Sequence, residues 1–381
     1  MDTIFEEKPT PALSETYARR LVAFKNVASV VFFAVLPVLV LGIGLRKVLA
    51  GGNLGLDFRG ELYPEAQFVL HGANPFPSPD AVLDGSDRIY PIPAALLVSP
   101  LTVLPVVIAT YVWCLVSLVA LAATLRVLGV TDWRVYGIVA LWPPTIAELQ
   151  TGNLTILLAL LVALAWKLRE RPFAPGVAIG LAVALKLFLW PLGVWLLARR
   201  RFRSAAVAAG MAVAGTLLVL PFESLTSYVD LMGRMKTAYG LSSYNLVGLL
   251  SQAGVSNRRF VDLVACSIGL AVLALAAYRR SLPLTVAASL LLSPIVWLHY
   301  FVLLIIPLAL RWPRFASAWA IPLLFWFCVG VGAQERDIVL GLLIFTTVVA
   351  ASEFGELPTL ILVQQRLADW RAWHRARTTT S

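Results

Sequence analysis

Charge is scarce in this chain. Only 14% of its 381 residues are Asp, Glu, Lys or Arg, 59% are hydrophobic, and the mean hydropathy is +0.82. A water-soluble domain needs more polar surface, so none is expected. Cysteine and histidine are scarcer still, with three of each. Cys114, Cys266 and Cys328 all fall inside apolar runs. They read as small core hydrophobes rather than a disulfide framework. His71, His299 and His374 belong to no His/Cys/Asp cluster with metal spacing, so neither a metal nor another cofactor is expected. A Gly-rich phosphate loop, a Ser-His-Asp arrangement and the internal repeat of a two-halved transporter are also missing.

What remains is a succession of apolar runs with short connections. They predict an all-α fold, a polytopic integral membrane helical bundle of about a dozen transmembrane helices. Residues 1–22 read as a cytoplasmic N-terminal segment rather than a cleavable signal peptide. Residues 23–353 read as a single transmembrane domain and 354–381 as a basic cytoplasmic tail carrying Arg366, Trp370, Arg371, Trp373, Arg375 and Arg377. The net charge of +10 does not call for nucleic acid, because the basic residues cluster between spans and at the ends. There they orient helices and meet anionic membrane lipids. Arg19, Arg20 and Lys25 precede the first span, 26–45, and place the N-terminus inside. Arg46 and Lys47 snorkel at the far interface. The acidic segment 51–90 is then extracytoplasmic.

Further spans are expected at 105–128, 133–149, 154–167, 204–220, 260–278, 316–332 and 338–351. Two apolar stretches carry basic residues at both ends. Arg171 and Arg199 flank the first, with Lys186 at its middle. Arg279, Arg280 and Arg311 flank the second, with Ser293-Pro294 and His299 at its middle. Each is expected to bend into a pair of short helices with its apex toward an outer cavity; a single oblique helix is the alternative. Within 51–90, residues 64–71 predict a short interfacial helix with Ala66, Val69 and Leu70 toward lipid, and 94–104 a second one.

The outer side so defined collects the candidate site. Asp57 follows the first span, as a reactive carboxylate or as an interfacial helix cap. Lys186 reads as a phosphate ligand or a snorkelling lysine, and His299 as a phosphate donor or a hydrogen-bonded core histidine. Glu148, near the outer end of its span, is a candidate second carboxylate. Tyr244 and Asn245 lie in the long connection 222–257, suited to hydrogen-bonding a sugar, and Arg336 lies in a polar outer turn.

The chain resembles the bacterial polyprenol-phosphate-mannose-dependent mannosyltransferases, glycosyltransferase family 87 of the GT-C superfamily. The resemblance rests on Asp57, Tyr63, Gly72-Ala73-Asn74-Pro75-Phe76, Tyr90-Pro91-Ile92-Pro93, Gly152-Asn153-Leu154, Ala184-Leu185-Lys186 and Ser293-Pro294-Ile295-Val296-Trp297-Leu298-His299. It departs from the family pattern at Phe76, Ile92, Asn153 and Tyr300. It implies a GT-C-like membrane enzyme of the plasma membrane, with the active site outside. A hexose, usually mannose, passes from a polyprenyl-phosphate donor to a lipid-linked or extracytoplasmic glycan acceptor. Asp57 is then the general base of an inverting displacement, Lys186, His299 and Arg336 bind the donor phosphate, and Tyr63, Asn74, Tyr90, Asn153, Tyr244 and Asn245 contact substrate. The alternative is a lipid or lipid-linked-sugar flippase without transferase activity, which calls for polar cavity groups in both leaflets.

Overall fold

The computed structural model describes residues 11–50, 54–83, 87–328 and 333–355. The basic C-terminal tail and the first ten residues lie outside them. All regular structure among the described residues is helical. Four helices are long and apolar enough to cross a membrane: Val22–Gly44, Val106–Val127, Arg258–Arg279 and Glu335–Phe354. A fifth crossing results if Pro143–Thr151 and Thr155–Lys167, bent by 116° at a short break, act as one span. The other apolar helices are shorter, between 10 and 17 residues. Large apolar side chains such as Phe24, Phe32 and Val38 on the first span and Leu263 and Leu270 on the third are exposed, as a lipid-facing surface requires.

Proline and glycine account for the shortness. The expected continuous helix over 133–149 is instead Trp133–Ala140 followed by Pro143–Thr151. Pro143 and Pro144 supply no backbone N–H, and Pro143 forces Trp142 into an extended conformation (φ −65°, ψ 129°), which ends the first helix. Helix Pro143–Thr151 then stops at Gly152, whose φ of +68° is left-handed. The Gly152 carbonyl accepts from Trp113 Nε1 at 2.7 Å, and Gly55 N donates to Gln150 O at 2.7 Å. A Cβ on Gly152 would lie 2.9 Å from Phe58 Cβ and 3.1 Å from Gly55 Cα. Glycine is therefore required there, for its φ and for the closeness of the two chains.

Both flanked apolar stretches are broken where their charge pattern demands. Helix Ala174–Leu185 ends at Lys186, which is extended (φ −156°, ψ 107°), and Pro191 opens the next helix, Pro191–Ala198. Helix Leu282–Leu291 gives way to irregular backbone and then to the 3₁₀ turn Leu298–Leu304. That buried irregular backbone is satisfied from the 243–245 segment. Asn245 Nδ2 donates to Pro294 O at 2.7 Å, Val296 N donates to Ser243 Oγ at 2.6 Å, and Tyr244 N donates to Val296 O at 2.8 Å.

The two short helices of the first loop form at Tyr63–Leu70 and Ile92–Val98, the second continued by a 3₁₀ turn to Val103. The orientation of the first differs from expectation. Ala66 and Val69 are buried against the core, and Phe68 and Leu70 are exposed. The reason is packing. This helix lies against Ile92–Val98 and the following turn, and that contact takes the Ala66 face.

Candidate active site

The site is built where three chain breaks meet. The turn after Gly55 supplies Asp57, the elbow after Gly152 supplies Asn153, and the end of Ala174–Leu185 supplies Lys186. Pro91 forbids helix before Ile92, so Tyr90 is free to turn inward. Asp57 stands at the start of a π-helical turn, Phe58–Leu62, and its carboxylate makes no cap bond to that turn. A capping role is thereby removed.

Asn153 connects the parts. Its Nδ2 donates to Asp57 Oδ2 at 2.5 Å and to the Tyr90 hydroxyl at 2.5 Å. Its Oδ1 accepts from Lys186 Nζ at 2.6 Å and from Leu154 N at 2.7 Å. Both donors and both lone pairs of the amide are used, which fixes its orientation. The Tyr90 hydroxyl reaches Asp57 Oδ2 at a longer 3.4 Å. Among the described residues, Asp57 Oδ1 has no protein partner. The Lys186 ammonium lies 4.3 Å from the Tyr300 ring centroid and 5.4 Å from that of Tyr90, a cation–π cradle. Phe188 stacks on Tyr300 at 5.0 Å and holds it in place.

Asp57, Tyr90, Asn153, Lys186, Tyr244 and His299 all line one cavity of about 630 Å³. His299 is buried, and its Nε2 has no hydrogen-bond partner among the described residues. Helix Leu225–Tyr239, capped by Ser224, whose hydroxyl accepts from Ser227 N, forms another part of the wall. It turns Tyr228, Met232, Met235 and Tyr239 to the cavity. Arg234 bonds to Ala81 O at 3.1 Å, and Tyr239 donates to Asp87 at 3.0 Å, so this helix is tied to the first loop.

Burial raises the Asp57 carboxyl above its ordinary range. The Asn153 amide, the Lys186 charge and the Tyr90 hydroxyl, in that order, oppose the rise. Glu61 and Glu65 are pushed well up, chiefly by burial. For Glu61, the neighbouring Asp57 and Glu65 carboxylates add to it.

Four expected site residues do not line the cavity. Tyr63 bonds to Leu104 O at 2.8 Å and fastens the first loop. Asn74 bonds to Glu223 at 3.1 Å. Asn245 caps helix Leu246–Gln252 and supports the Pro294 break. Arg336 has an 82% exposed side chain and touches Phe327 O and Asp337. Glu148 is fully buried, and its Oε1 accepts from Ile156 N at 3.1 Å in the first turn of the next helix. Sequence reasoning missed Glu61 and Tyr300. Glu61 stands four residues after Asp57, and Tyr300 adjoins His299, so both signals were present.

The comparisons with known proteins bear on this arrangement. The family model for glycosyltransferase family 87 matches residues 89–307, more than half of the chain. The chain belongs to glycosyltransferase family 87. It is a glycosyltransferase, and its apolar helices are those of a membrane protein. The matched region of this family 87 chain holds Tyr90, Asn153, Lys186 and His299, whereas Asp57 precedes it. Two curated relatives share the name polyprenol-phosphate-mannose-dependent alpha-(1-2)-phosphatidylinositol pentamannoside mannosyltransferase. The one from Mycolicibacterium smegmatis is 27% identical over 74% of this chain and 68% of its own length. The one from Mycobacterium tuberculosis is 28% identical over 76% and 67% respectively. No solved structure matches.

Proposed function

We propose that this protein transfers a hexose, most simply mannose, from a polyprenyl-phosphate donor to a lipid-linked or extracytoplasmic glycan acceptor. The observation that carries the reading is the continuous chain from Asp57 through Asn153 to Lys186 in one cavity. It sets a carboxylate and a cation apart on one polar floor, as a displacement at a sugar phosphate needs. The names of the two relatives supply the donor class.

In this mechanism, Asp57 Oδ1 takes the proton from an acceptor hydroxyl. The hydroxyl oxygen attacks the anomeric carbon, and the carbon–oxygen bond to the lipid phosphate breaks with inversion. The bonding pair leaves with polyprenyl phosphate. Lys186 stabilises the charge that develops there, and His299 Nε2 is the second donor. Asn153 positions both ends, and Tyr90 and Tyr244 line the sugar space. The positive-inside pattern puts both termini in the cytoplasm and the cavity on the outer face.

The test is transfer of radiolabelled mannose from polyprenyl-phosphate-mannose into a total lipid and glycan extract by detergent-purified protein. Wild type is expected to label a product, and Asp57→Asn to lose roughly 10²–10⁴-fold in rate. An active Asp57→Asn overturns the base assignment. A wild type that labels nothing overturns the donor.

A further inference from the structure

The mechanism leaves one buried carboxyl in the cavity unused. Glu61 is 8% exposed and lines the same cavity as Asp57. Asp57 directly precedes the π-helical turn Phe58–Leu62 and Glu61 lies within it, four residues on, a spacing that sets both side chains on one side. Glu65, one turn further on, is committed, since its Oε2 accepts from Tyr90 N at 3.2 Å. Glu61 has neither a hydrogen bond nor an ion pair among the described residues. Its charged neighbours are mostly like-signed: Asp57, Glu65 and Asp87, with Lys186 opposing them.

We infer that Glu61 is a binding residue for the acceptor sugar, holding a hydroxyl next to the one that Asp57 deprotonates. The inference rests on the transferase reading above and names what occupies the base end of the cavity. The Glu61 residue is largely buried, lines the cavity and has no protein partner among the described residues, so its carboxyl is free to hydrogen-bond a ligand there. Phosphate is excluded as that ligand by the Asp57 and Glu65 carboxylates. It belongs at the far side of Asn153, where Lys186 and His299 stand. A neutral polyol fits. Sugar hydroxyls both donate and accept, and a carboxyl matches them in either protonation state. Asp57 fixes which hydroxyl attacks, and Glu61 beside it fixes the neighbouring one, so the pair sets the sugar's register.

The experiment is equilibrium titration of the detergent-purified full chain with octyl α-mannoside, with and without saturating polyprenyl phosphate, beside a separate titration with polyprenyl phosphate. Glu61→Met, close in volume, is expected to weaken octyl mannoside at least about tenfold. Glu61→Gln, which still donates and accepts, is expected to weaken it by less than about threefold. Polyprenyl phosphate binding by both variants stays within about twofold of wild type, which also reports that they fold. Glu61→Met that binds octyl mannoside like wild type overturns the inference, as does a wild type that binds none. If Glu61→Met does not fold, Glu61→Leu takes its place in the same titration, and octyl mannoside bound like wild type by that variant overturns the inference. A wild type that does not bind polyprenyl phosphate overturns the donor reading instead, and the mannoside titration still decides Glu61.

Discussion

Replacing Asn153 with Ala removes the amide that donates to Asp57 Oδ2 at 2.5 Å. Burial already pushes the Asp57 carboxyl up, and this amide is the foremost of the contacts that hold it down. A hydrogen bond to a charged group contributes about 1.5–3 kcal/mol. Its loss leaves burial less opposed and raises the carboxyl further. A general base works deprotonated, so activity falls as pH drops through its pKa. A raised pKa therefore moves the acid limb of the kcat/KM profile to higher pH. The assay is mannose transfer measured across pH for wild type, Asn153→Ala and Tyr90→Phe. Tyr90 reaches Asp57 at 3.4 Å, and its loss is expected to move the limb less than the loss of the Asn153 amide does. An unmoved acid limb in Asn153→Ala refutes the reasoning, and so does a larger shift for Tyr90→Phe.

Lys186→Met is expected to lower kcat by about 10²–10³-fold, since the proposed mechanism sets this cation on the leaving phosphate. Lys186→Arg should not restore it, because the cradle of Tyr90 and Tyr300 is shaped around a compact ammonium; full activity in the arginine variant contradicts the cradle. Gly152→Ala places a methyl group against Phe58 and Gly55 at a left-handed φ. It should cost about 2–4 kcal/mol, seen as a lowered midpoint in detergent thermal unfolding, and an unchanged midpoint argues against the close approach. Glu148→Ala removes the cap on Ile156 N and should cost about 1 kcal/mol by the same measurement. Loss of transfer out of proportion to that cost would instead give Glu148 a role in the chemistry.

The sequence made some of this legible and not the rest. Lys186 and the Ser293–His299 region were readable because charge and proline sat where an apolar helix cannot continue, and the chain does break at both. Asp57 was readable from its place after the first span. Contacts between distant segments were not readable. Nothing local tells that Asn74 meets Glu223, or that Tyr63 serves Leu104 O. Arg336 looked like a free outer cation, yet which way a long side chain leaves a turn is decided by packing. The same holds for Ala66 and Val69. Small apolar residues suit lipid and core equally, and only the neighbouring helix resolved the choice. The split within 133–149 was signalled by Pro143-Pro144, a cue outweighed by the hydropathy of the whole run.

The two sides of the cavity have unequal freedom to change. The floor is interlocked: Gly55 against Gly152, Trp113 on the Gly152 carbonyl, and an Asn153 amide with every bond in use. A larger or differently shaped residue at any of these points disturbs the base and the cation together. The helix Leu225–Tyr239 meets the cavity through Met232 and Met235, flexible side chains that repack around altered neighbours. On the proposed transferase reading, that helix is the wall freest to change, and a library aimed at new acceptors starts there, with Glu61 left in place.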